Sequence, residues 1–208
     1  MIILKKSIIF DLDGTLWNTT VQVNEVWNRI AKQYNLEISS EQIKNIMGMT
    51  KEEIINFVFE NNIELGNKFI SECQIEENKY LKENGGTLYI NTLETLKELK
   101  KIGFDLYIVS NCQDGYIQSF LEYYNLDNKF LDYECSGRTG KSKEENIRII
   151  MQRNNIIDAV YVGDTENDYI SATNNKISFV WAEYGFGKCN GNVQKINDIF
   201  ELIEIVNS

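Results

Sequence analysis

The chain has 208 residues, which is enough for one domain of ordinary size or for a domain carrying a smaller insertion. It contains no histidine, which excludes Ser/His/Asp and Cys/His catalytic arrangements and mixed Cys/His zinc sites. Its formal net charge of −10 argues against nucleic-acid binding, because a phosphate backbone requires a basic surface. No stretch approaches the ~20 apolar residues of a membrane helix, and the first lysines follow apolar residues, unlike those of a signal peptide. We therefore expect a cytoplasmic protein without membrane or nucleic-acid partners.

The first predicted strand ends in two aspartates. The apolar residues 8–10 are followed by Asp11, Asp13 and Gly14. Residues i and i+2 of an extended strand lie on the same side, so both carboxylates would face one point. Their mutual repulsion then requires a proton or a cation between them. The alternative is a strand followed by an ordinary Asp-Gly turn.

A helical region follows this strand. Apolar residues recur at helical spacing over residues 23–34 and again from about 69 to 82. Ser39 and Thr50 each stand three residues before a Gln or Glu, which is typical of a helix N-cap. The sequence therefore predicts that residues 18–84 are all helical.

Strands and helices alternate over the rest of the chain. The strands are apolar without alternation, which indicates burial on both faces, as in parallel sheets. This pattern predicts a doubly wound, Rossmann-like α/β core formed by residues 1–17 and 85–208, with residues 18–84 inserted as a helical cap. The predicted elements after residue 90 are helices over 92–101, 116–124, 144–154 and 196–205, and strands over 106–109, 130–135, 159–162 and 177–181.

Polar residues follow three of the predicted strands. In open α/β sheets, ligands bind at the carboxyl ends of strands. Four carboxylates at such an edge would repel one another without a cation, and ligands that are all oxygen favour Mg²⁺ over Mn²⁺ or Ca²⁺. Helix capping is the alternative explanation for the last of the acidic pairs. The polar strand ends are Asp11 with Asp13, Ser110 with Asn111, and Asp164 with Asp168 one helical turn later.

These segments resemble known motifs when they are taken in order. Asp11-Leu12-Asp13-Gly14-Thr15, Ser110-Asn111 and Gly163-Asp164-Thr165-x-x-Asp168 are similar to the first, second and fourth motifs of the haloacid dehalogenase superfamily. Their order, together with the inserted helical region, resembles the phosphoglycolate phosphatase and β-phosphoglucomutase branch. The resemblance implies a phosphatase that acts on a small phosphorylated metabolite, as a monomer or a homodimer.

The resemblance also implies a role for each motif residue. Asp11 would be the nucleophile that forms an aspartyl-phosphate. Asp13 would protonate the leaving oxygen and then activate water. Mg²⁺ would be held by the Asp11 carboxylate, the Asp13 backbone carbonyl and Asp164, with Asp168 in or just behind that shell. Ser110 would donate hydrogen bonds to the phosphoryl oxygens.

The third motif of the family is a lysine, and two residues compete for it. Spacing counted back from Arg153 favours Lys141, whereas Lys143 fits relatives that lack the motif's usual prolines. Ser142 and Glu145 form a potential capping box, so one of the two lysines is expected to be a solvated surface residue. Both remain candidates at this stage.

Four residues are predicted substrate contacts. Lys51 lies in a segment that resembles the branch's substrate loop, although an exposed lysine at a helix start is the alternative. Trp17 either lines the pocket or packs between core and cap. Thr15 and Asn111 adjoin the first and second motifs.

The leading hypothesis is a Mg²⁺-dependent phosphatase acting on a small phosphate monoester such as phosphoglycolate, a sugar phosphate or a nucleotide. A phosphomutase is the nearest alternative, but the histidine that usually follows its first motif is missing. A non-catalytic phosphate sensor is the other alternative. It gives no reason to hold four mutually repelling carboxylates together.

Overall fold

The computed structural model describes residues 6–60 and 62–207. Residues 1–5, which hold most of the segment that we expect not to be a signal peptide, lie outside these ranges. Across the residues that are described, we find no helix with the length and apolar character needed to cross a bilayer.

Six strands form one parallel sheet, and two short strands pair antiparallel beside it. The order in the main sheet is β5-β4-β1-β6-β7-β8, so the first strand of the chain is central. This topology confirms the predicted doubly wound α/β core. In chain order the strands are β1 (Ser7–Phe10), β2 (Trp17–Asn18), β3 (Thr87–Leu88), β4 (Asp105–Ser110), β5 (Phe130–Cys135), β6 (Ala159–Gly163), β7 (Ser178–Ala182) and β8 (Gln194–Ile196).

Several of the helices begin at capping residues that the sequence supplies. The side chains of Ser39, Thr50 and Ser142 each accept a hydrogen bond from the backbone N–H three residues later. In return, the side chain of that later residue accepts a hydrogen bond from the backbone N–H of the capping residue. The described helices are α1 (Thr20–Ala31), α2 (Ser40–Ile46), α3 (Lys51–Val58), α4 (Ile63–Asn84), α5 (Thr92–Lys101), α6 (Tyr116–Tyr124), α7 (Ser136–Thr139), α8 (Lys143–Arg153), α9 (Glu166–Asn174) and α10 (Leu202–Asn207).

The central strand explains why its apolar run lacks alternation. Ile8 and Phe10 belong to a hydrophobic cluster with α5, α6 and α10 on one face of the sheet. Ile9 points to the other face and joins a second cluster with α8 and α9. Because all three side chains are fully buried, each contributes about 1.5–3 kcal/mol to the hydrophobic stabilisation of the core.

The helical segment has a hydrophobic cluster of its own, drawn from α1 to α4. Phe69 lies at its centre, with ring centroids 5.5 Å from Trp27 and 5.3 Å from Phe59. Gly66 allows α4 to approach α3, since a Cβ there would lie 2.9 Å from Ile55 Cγ1. Helix α4 begins at Ile63, earlier than the predicted start near residue 69. The division of the chain into residues 18–84 and the remainder stays a prediction.

The structure differs from the sequence-based prediction at two further places. The paired strands β2 and β3, where the chain enters and leaves the helical segment, were not predicted. The last helix begins at Leu202, and the residues assigned to its start form strand β8 and a 3₁₀ turn. Asp198 caps that turn by accepting a hydrogen bond from the Phe200 N–H at 2.8 Å, which delays the α-helix.

Candidate active site

Three adjacent strands deliver the acidic residues to one edge of the sheet. Phe10 on β1 lies in register with Ile108 on β4 and with Val162 on β6, so the chain segments after these strands leave side by side. Asp11, Ser110 and Asp164 therefore meet at the carboxyl edge. Ligand oxygens of Asp11, Asp164 and Asp168 all lie within 4.8 Å of one another.

Asp164 is oriented by backbone amides and keeps one oxygen free. Its Oδ2 accepts hydrogen bonds from Phe186 N–H at 2.7 Å and Gly187 N–H at 3.0 Å. Its Oδ1 is buried and has no hydrogen-bond partner among the described residues. Gly14 has a φ of 81°, and a Cβ there would lie 2.3 Å from Asp164 Oδ2. A hard cation with oxygen ligands fits this free buried oxygen and its acidic neighbours.

Burial and mutual repulsion disfavour the ionised forms of Asp11 and Asp164. Burial raises the pKa of Asp164 to about 8, and the charges of Asp168 and Asp11 add to that effect. Burial also raises the pKa of Asp11 to about 6, although the ammonium of Lys143 opposes the rise. A divalent cation would favour the ionised forms of both carboxylates.

Lys143 is the lysine of this site. It is 2% exposed, and its Nζ lies 3.0 Å from Asp11 Oδ1 and 2.6 Å from Asp168 Oδ1. Burial opposes its charge, but the two carboxylates outweigh burial and raise the pKa of Lys143, which therefore stays protonated. Lys141 is exposed, so the geometry favours Lys143 over Lys141, the other candidate for the third-motif lysine. The Ser142 cap starts the helix between the two lysines and leaves Lys141 outside it.

Asp168 orients its neighbours. Its Oδ1 accepts from Lys143, while its Oδ2 accepts from the Thr165 N–H at 2.9 Å and the Thr165 hydroxyl at 2.7 Å. Both oxygens are thus already hydrogen-bonded. Direct coordination of a metal by Asp168 stays a prediction.

Asp13 lies in a different environment from the acidic cluster. Its Oδ1 accepts hydrogen bonds from Thr19 Oγ1 at 3.0 Å and Tyr116 Oη at 2.9 Å. Burial raises the pKa of Asp13 to about 7, the negative charge of Asp11 adds to the rise, and the two hydrogen bonds oppose it. A carboxyl group with a pKa near neutrality can both give and take a proton.

The geometry of this site agrees with the comparison to known families. Residues 8–182 match the sequence profile of the haloacid dehalogenase-like hydrolases. The chain belongs to this family. The match confirms the predicted family and the prediction that the chain is a hydrolase.

Individual members of this haloacid dehalogenase-like family resemble the chain at low identity. A phosphoglycolate phosphatase of Vibrio vulnificus (strain CMCP6) is 23% identical over 194 residues, covering 87% of this chain and 85% of that protein. The pyrophosphatase PpaX of Oceanobacillus iheyensis is 26% identical over 171 residues, covering 80% and 78%. Among solved structures, one described as a predicted phosphatase from Clostridium acetobutylicum has a TM-score of 0.84 at 24% identity, covering 99% of this chain and 100% of that one.

Two concave regions of this haloacid dehalogenase-like hydrolase border the site. An inner cavity of about 70 Å³ opens beside Asp13 and Ser110. An outer cleft of about 810 Å³ lies next to it. The inner cavity is lined by residues that include Asp13, Trp27, Glu77, Ser110, Gln113 and Tyr116, and the outer cleft by residues that include Lys51, Ser71, Asn111, Ser136 and Lys141.

The predicted substrate contacts occupy different places. Asn111 borders both regions and donates from Nδ2 to the Gly48 carbonyl at 3.0 Å, which joins the second motif to the helical segment. Lys51 borders the outer cleft, and its Nζ donates to Ser71 Oγ at 3.1 Å. The hydroxyl of Thr15 is buried without a partner among the described residues.

Trp17 is not a pocket residue, and its prediction as a substrate contact is wrong. Its side chain is fully buried in the hydrophobic core. The ring packs edge-on against Tyr116 at 5.4 Å and Phe120 at 5.0 Å between centroids. The alternative interpretation, packing, is the one that the structure shows.

Glu77 borders the inner cavity, and it was not identified from the sequence. It is 5% exposed and lies on α4, on the face that buries Cys73 and Leu81. Glu77 lies four positions from each of these two buried apolar residues, so it interrupts the apolar face of the helix. This interruption is the sequence feature from which a buried acid could have been predicted. Thr19 and Tyr116, which hydrogen-bond Asp13, gave no signal, because their contact depends on the tertiary fold.

Proposed function

We propose that the chain is a Mg²⁺-dependent phosphatase that hydrolyses a small phosphate monoester through an aspartyl-phosphate at Asp11. The observation that carries this proposal is the buried ion pair between Asp11 and Lys143, next to the free Oδ1 of Asp164. Asp13, two residues after Asp11, borders an inner cavity that can hold a leaving group. The named relatives, phosphoglycolate phosphatases among them, support a phosphate ester as substrate.

In the proposed reaction, Asp11 acts as the nucleophile and Asp13 as the acid and base. An Asp11 carboxylate oxygen attacks phosphorus as the ester P–O bond breaks, and Asp13 donates its proton to the leaving oxygen. Asp13 then takes a proton from water, whose oxygen attacks phosphorus and breaks the bond to Asp11. Inorganic phosphate leaves, and Asp13 is protonated again. Lys143 and Ser110 would stabilise the phosphoryl oxygens throughout.

Three oxygen donors would hold the cation: the Asp11 carboxylate, Asp164 Oδ1 and the Asp13 backbone carbonyl. A bound Mg²⁺ supplies positive charge that offsets repulsion between the phosphate and Asp11. Thr15, Lys51 and Asn111 would contact the substrate, the last two from the outer cleft. A cytoplasmic location and a monomeric or homodimeric state also stay predictions.

The test is turnover of p-nitrophenyl phosphate and of a panel of phosphorylated metabolites, with Mg²⁺ and with EDTA. We expect turnover that requires Mg²⁺ and is lost in Asp11→Asn, which keeps the shape of the side chain but removes the nucleophile. Asp127→Asn makes the same chemical change at an exposed position and serves as the control.

A second readout examines the intermediate directly. After acid quenching during turnover, mass spectrometry should find a phosphate-modified peptide that contains Asp11. Failure of every ester in the presence of Mg²⁺ would favour the sensor alternative, and turnover by Asp11→Asn would refute the assigned nucleophile.

A further inference from the structure

The inner cavity indicates what kind of leaving group the site accepts, on the premise of the proposed phosphatase reaction. The acid that protonates the leaving oxygen must lie next to the leaving group, and Asp13 borders this cavity. With a volume of about 70 Å³, the cavity has space for several water molecules, and therefore for a leaving group of a few non-hydrogen atoms. The remaining walls of the cavity then decide which leaving groups fit.

Glu77 is the charged group in the wall contributed by α4. Trp27 donates a hydrogen bond from Nε1 to Glu77 Oε1, and Gln113 donates from Nε2 to Glu77 Oε2 at 2.7 Å. Each carboxylate oxygen has two acceptor positions, so one remains on each after these bonds. The two donors fix the orientation of the carboxylate and leave it able to bind a further donor.

Glu77 is a buried acid that makes no ion pair among the described residues. The same is true of Asp13 and Asp164, but Glu77 lies outside the acidic cluster that could hold a metal ion. Lys143 forms ion pairs with both Asp11 and Asp168. Glu134, also buried, is paired with Arg138 at 2.7 Å. None of the ion pairs among the described residues includes Glu77, whose two hydrogen-bond donors are neutral. A buried carboxylate of this kind is costly unless it takes up a proton or a positive charge lies beside it.

The rest of the lining would favour a cation and disfavour an anion. Of the described residues that border the inner cavity, none is a lysine or an arginine. Trp27 and Tyr116 present aromatic rings, which attract ammonium groups, and Met47 and Met49 add polarizable thioethers. A leaving group with its own carboxylate would bring a second negative charge next to Glu77, with no basic side chain in the described lining to offset it.

We propose that the substrate is the phosphate ester of a small amino alcohol, and that Glu77 binds the ammonium group of the leaving alcohol in the inner cavity. A hydroxyl group could donate a hydrogen bond to Glu77 but would leave its charge uncompensated. Burial raises the pKa of Glu77 to about 7, and the bonds from Trp27 and Gln113 oppose that rise. An ammonium partner stabilises the same ionised form as those two donors do.

Three esters with two-carbon alcohols test this proposal, since they differ only in the terminal group. They are O-phosphoethanolamine, 2-hydroxyethyl phosphate and 2-phosphoglycolate, which end in an ammonium, a hydroxyl and a carboxylate. We expect kcat/KM with Mg²⁺ to be at least about tenfold higher for the ammonium ester than for the hydroxyl ester, with the carboxylate ester poorest.

Two variants on helix α4 test whether Glu77 causes the preference for the ammonium ester. Glu77→Gln should cut kcat/KM for phosphoethanolamine by roughly ten- to a hundredfold, and should narrow the gap to the other two esters. Glu76→Gln is the control, because Glu76 is the preceding residue and pairs with Arg29 at 3.1 Å near the surface. The control should preserve the wild-type order of the three esters.

Several outcomes would overturn the proposal. A preference for phosphoglycolate that is lost in a Lys51→Met variant would assign selection to Lys51 in the outer cleft. Equal rates for the ammonium and hydroxyl esters, or an equal fall for all three in Glu77→Gln, would leave Glu77 a structural residue. If Glu77→Gln does not fold, the order of the three esters with the wild-type protein still decides. Turnover of any of the three esters, or of another ester in the metabolite panel, separates this failure from failure of the proposed function, because the latter removes all turnover.

Discussion

Replacement of Lys143 by methionine tests the electrostatic basis of the site. Methionine preserves most of the side-chain volume and removes the charge that lies between Asp11 and Asp168. Breaking a buried ion pair by removing one partner costs about 3–5 kcal/mol of unfolding free energy, because the remaining carboxylates are left buried and unpaired. We expect a loss of this size in metal-free protein at pH 8. Lys141→Met is the matched control, and its exposed position predicts a change within about 0.5 kcal/mol.

The size of this loss should depend on pH in a defined direction. The folded-state pKa of Asp11 is about 6, against an ordinary value of 3.8, so the folded protein retains the Asp11 proton longer than the unfolded chain does. Stability attributable to Asp11 therefore falls as pH rises from about 4 to 6. Without Lys143 the pKa of Asp11 rises further, so the decrease in unfolding free energy attributable to Asp11 continues to higher pH. The deficit of the variant is thus small at pH 5 and largest at pH 8.

Urea unfolding at the two pH values, in EDTA, measures both variants against the wild type. Turnover of p-nitrophenyl phosphate with Mg²⁺ measures activity in parallel, and Lys143→Met should lose roughly 10²–10³-fold, as for removal of one transition-state donor. A loss of stability below 1 kcal/mol at pH 8 together with near-normal turnover would refute the electrostatic reasoning. A larger effect from Lys141→Met would refute the assignment of the lysine.

Three further predictions concern the neighbouring groups. Asp13→Asn should lower kcat by about 10²–10⁴-fold; a near-normal rate would exclude Asp13 as the acid and base. Tyr116→Phe removes a hydrogen bond to the Asp13 carboxylate, so the pKa of Asp13 rises above about 7 and the alkaline limb of kcat/KM shifts upward by roughly one pH unit; an unchanged limb contradicts this. Mg²⁺ at 100 times its Kd should raise the unfolding free energy by about 2.7 kcal/mol at pH 8, and less at pH 5.5, where protons compete for Asp164. The Asp164→Asn variant should lose most of that gain, and an undiminished gain would exclude Asp164 as a ligand.

The fold and the acidic centre were accessible from sequence because both depend on short-range patterns. Apolar strands that end in Asp11, Ser110 and Asp164 are local features, and the rule that parallel strands share a carboxyl edge brings them together. Helix caps such as the one at Thr50 are equally local, since four residues decide them.

What the sequence left open depends on tertiary packing. The structure favours Lys143 over Lys141 because α8 begins at Lys143 and its first turn places that side chain against Asp168. Trp17 was misassigned because its neighbour Phe120 lies more than a hundred positions away in the chain. Strands β2 and β3 have two residues each, too few to show the alternation of apolar and polar residues that predicts a strand.

The antiparallel pairing of β2 with β3 has an evolutionary consequence. Trp17 lies opposite Leu88 and Asn18 opposite Thr87, so the two connections of the helical segment to the sheet run side by side. A segment whose two ends are adjacent can be replaced by one of different length or composition while the parallel sheet keeps its register. Residues 20–86 can therefore change while the strands that carry the acidic residues keep their places in the sheet.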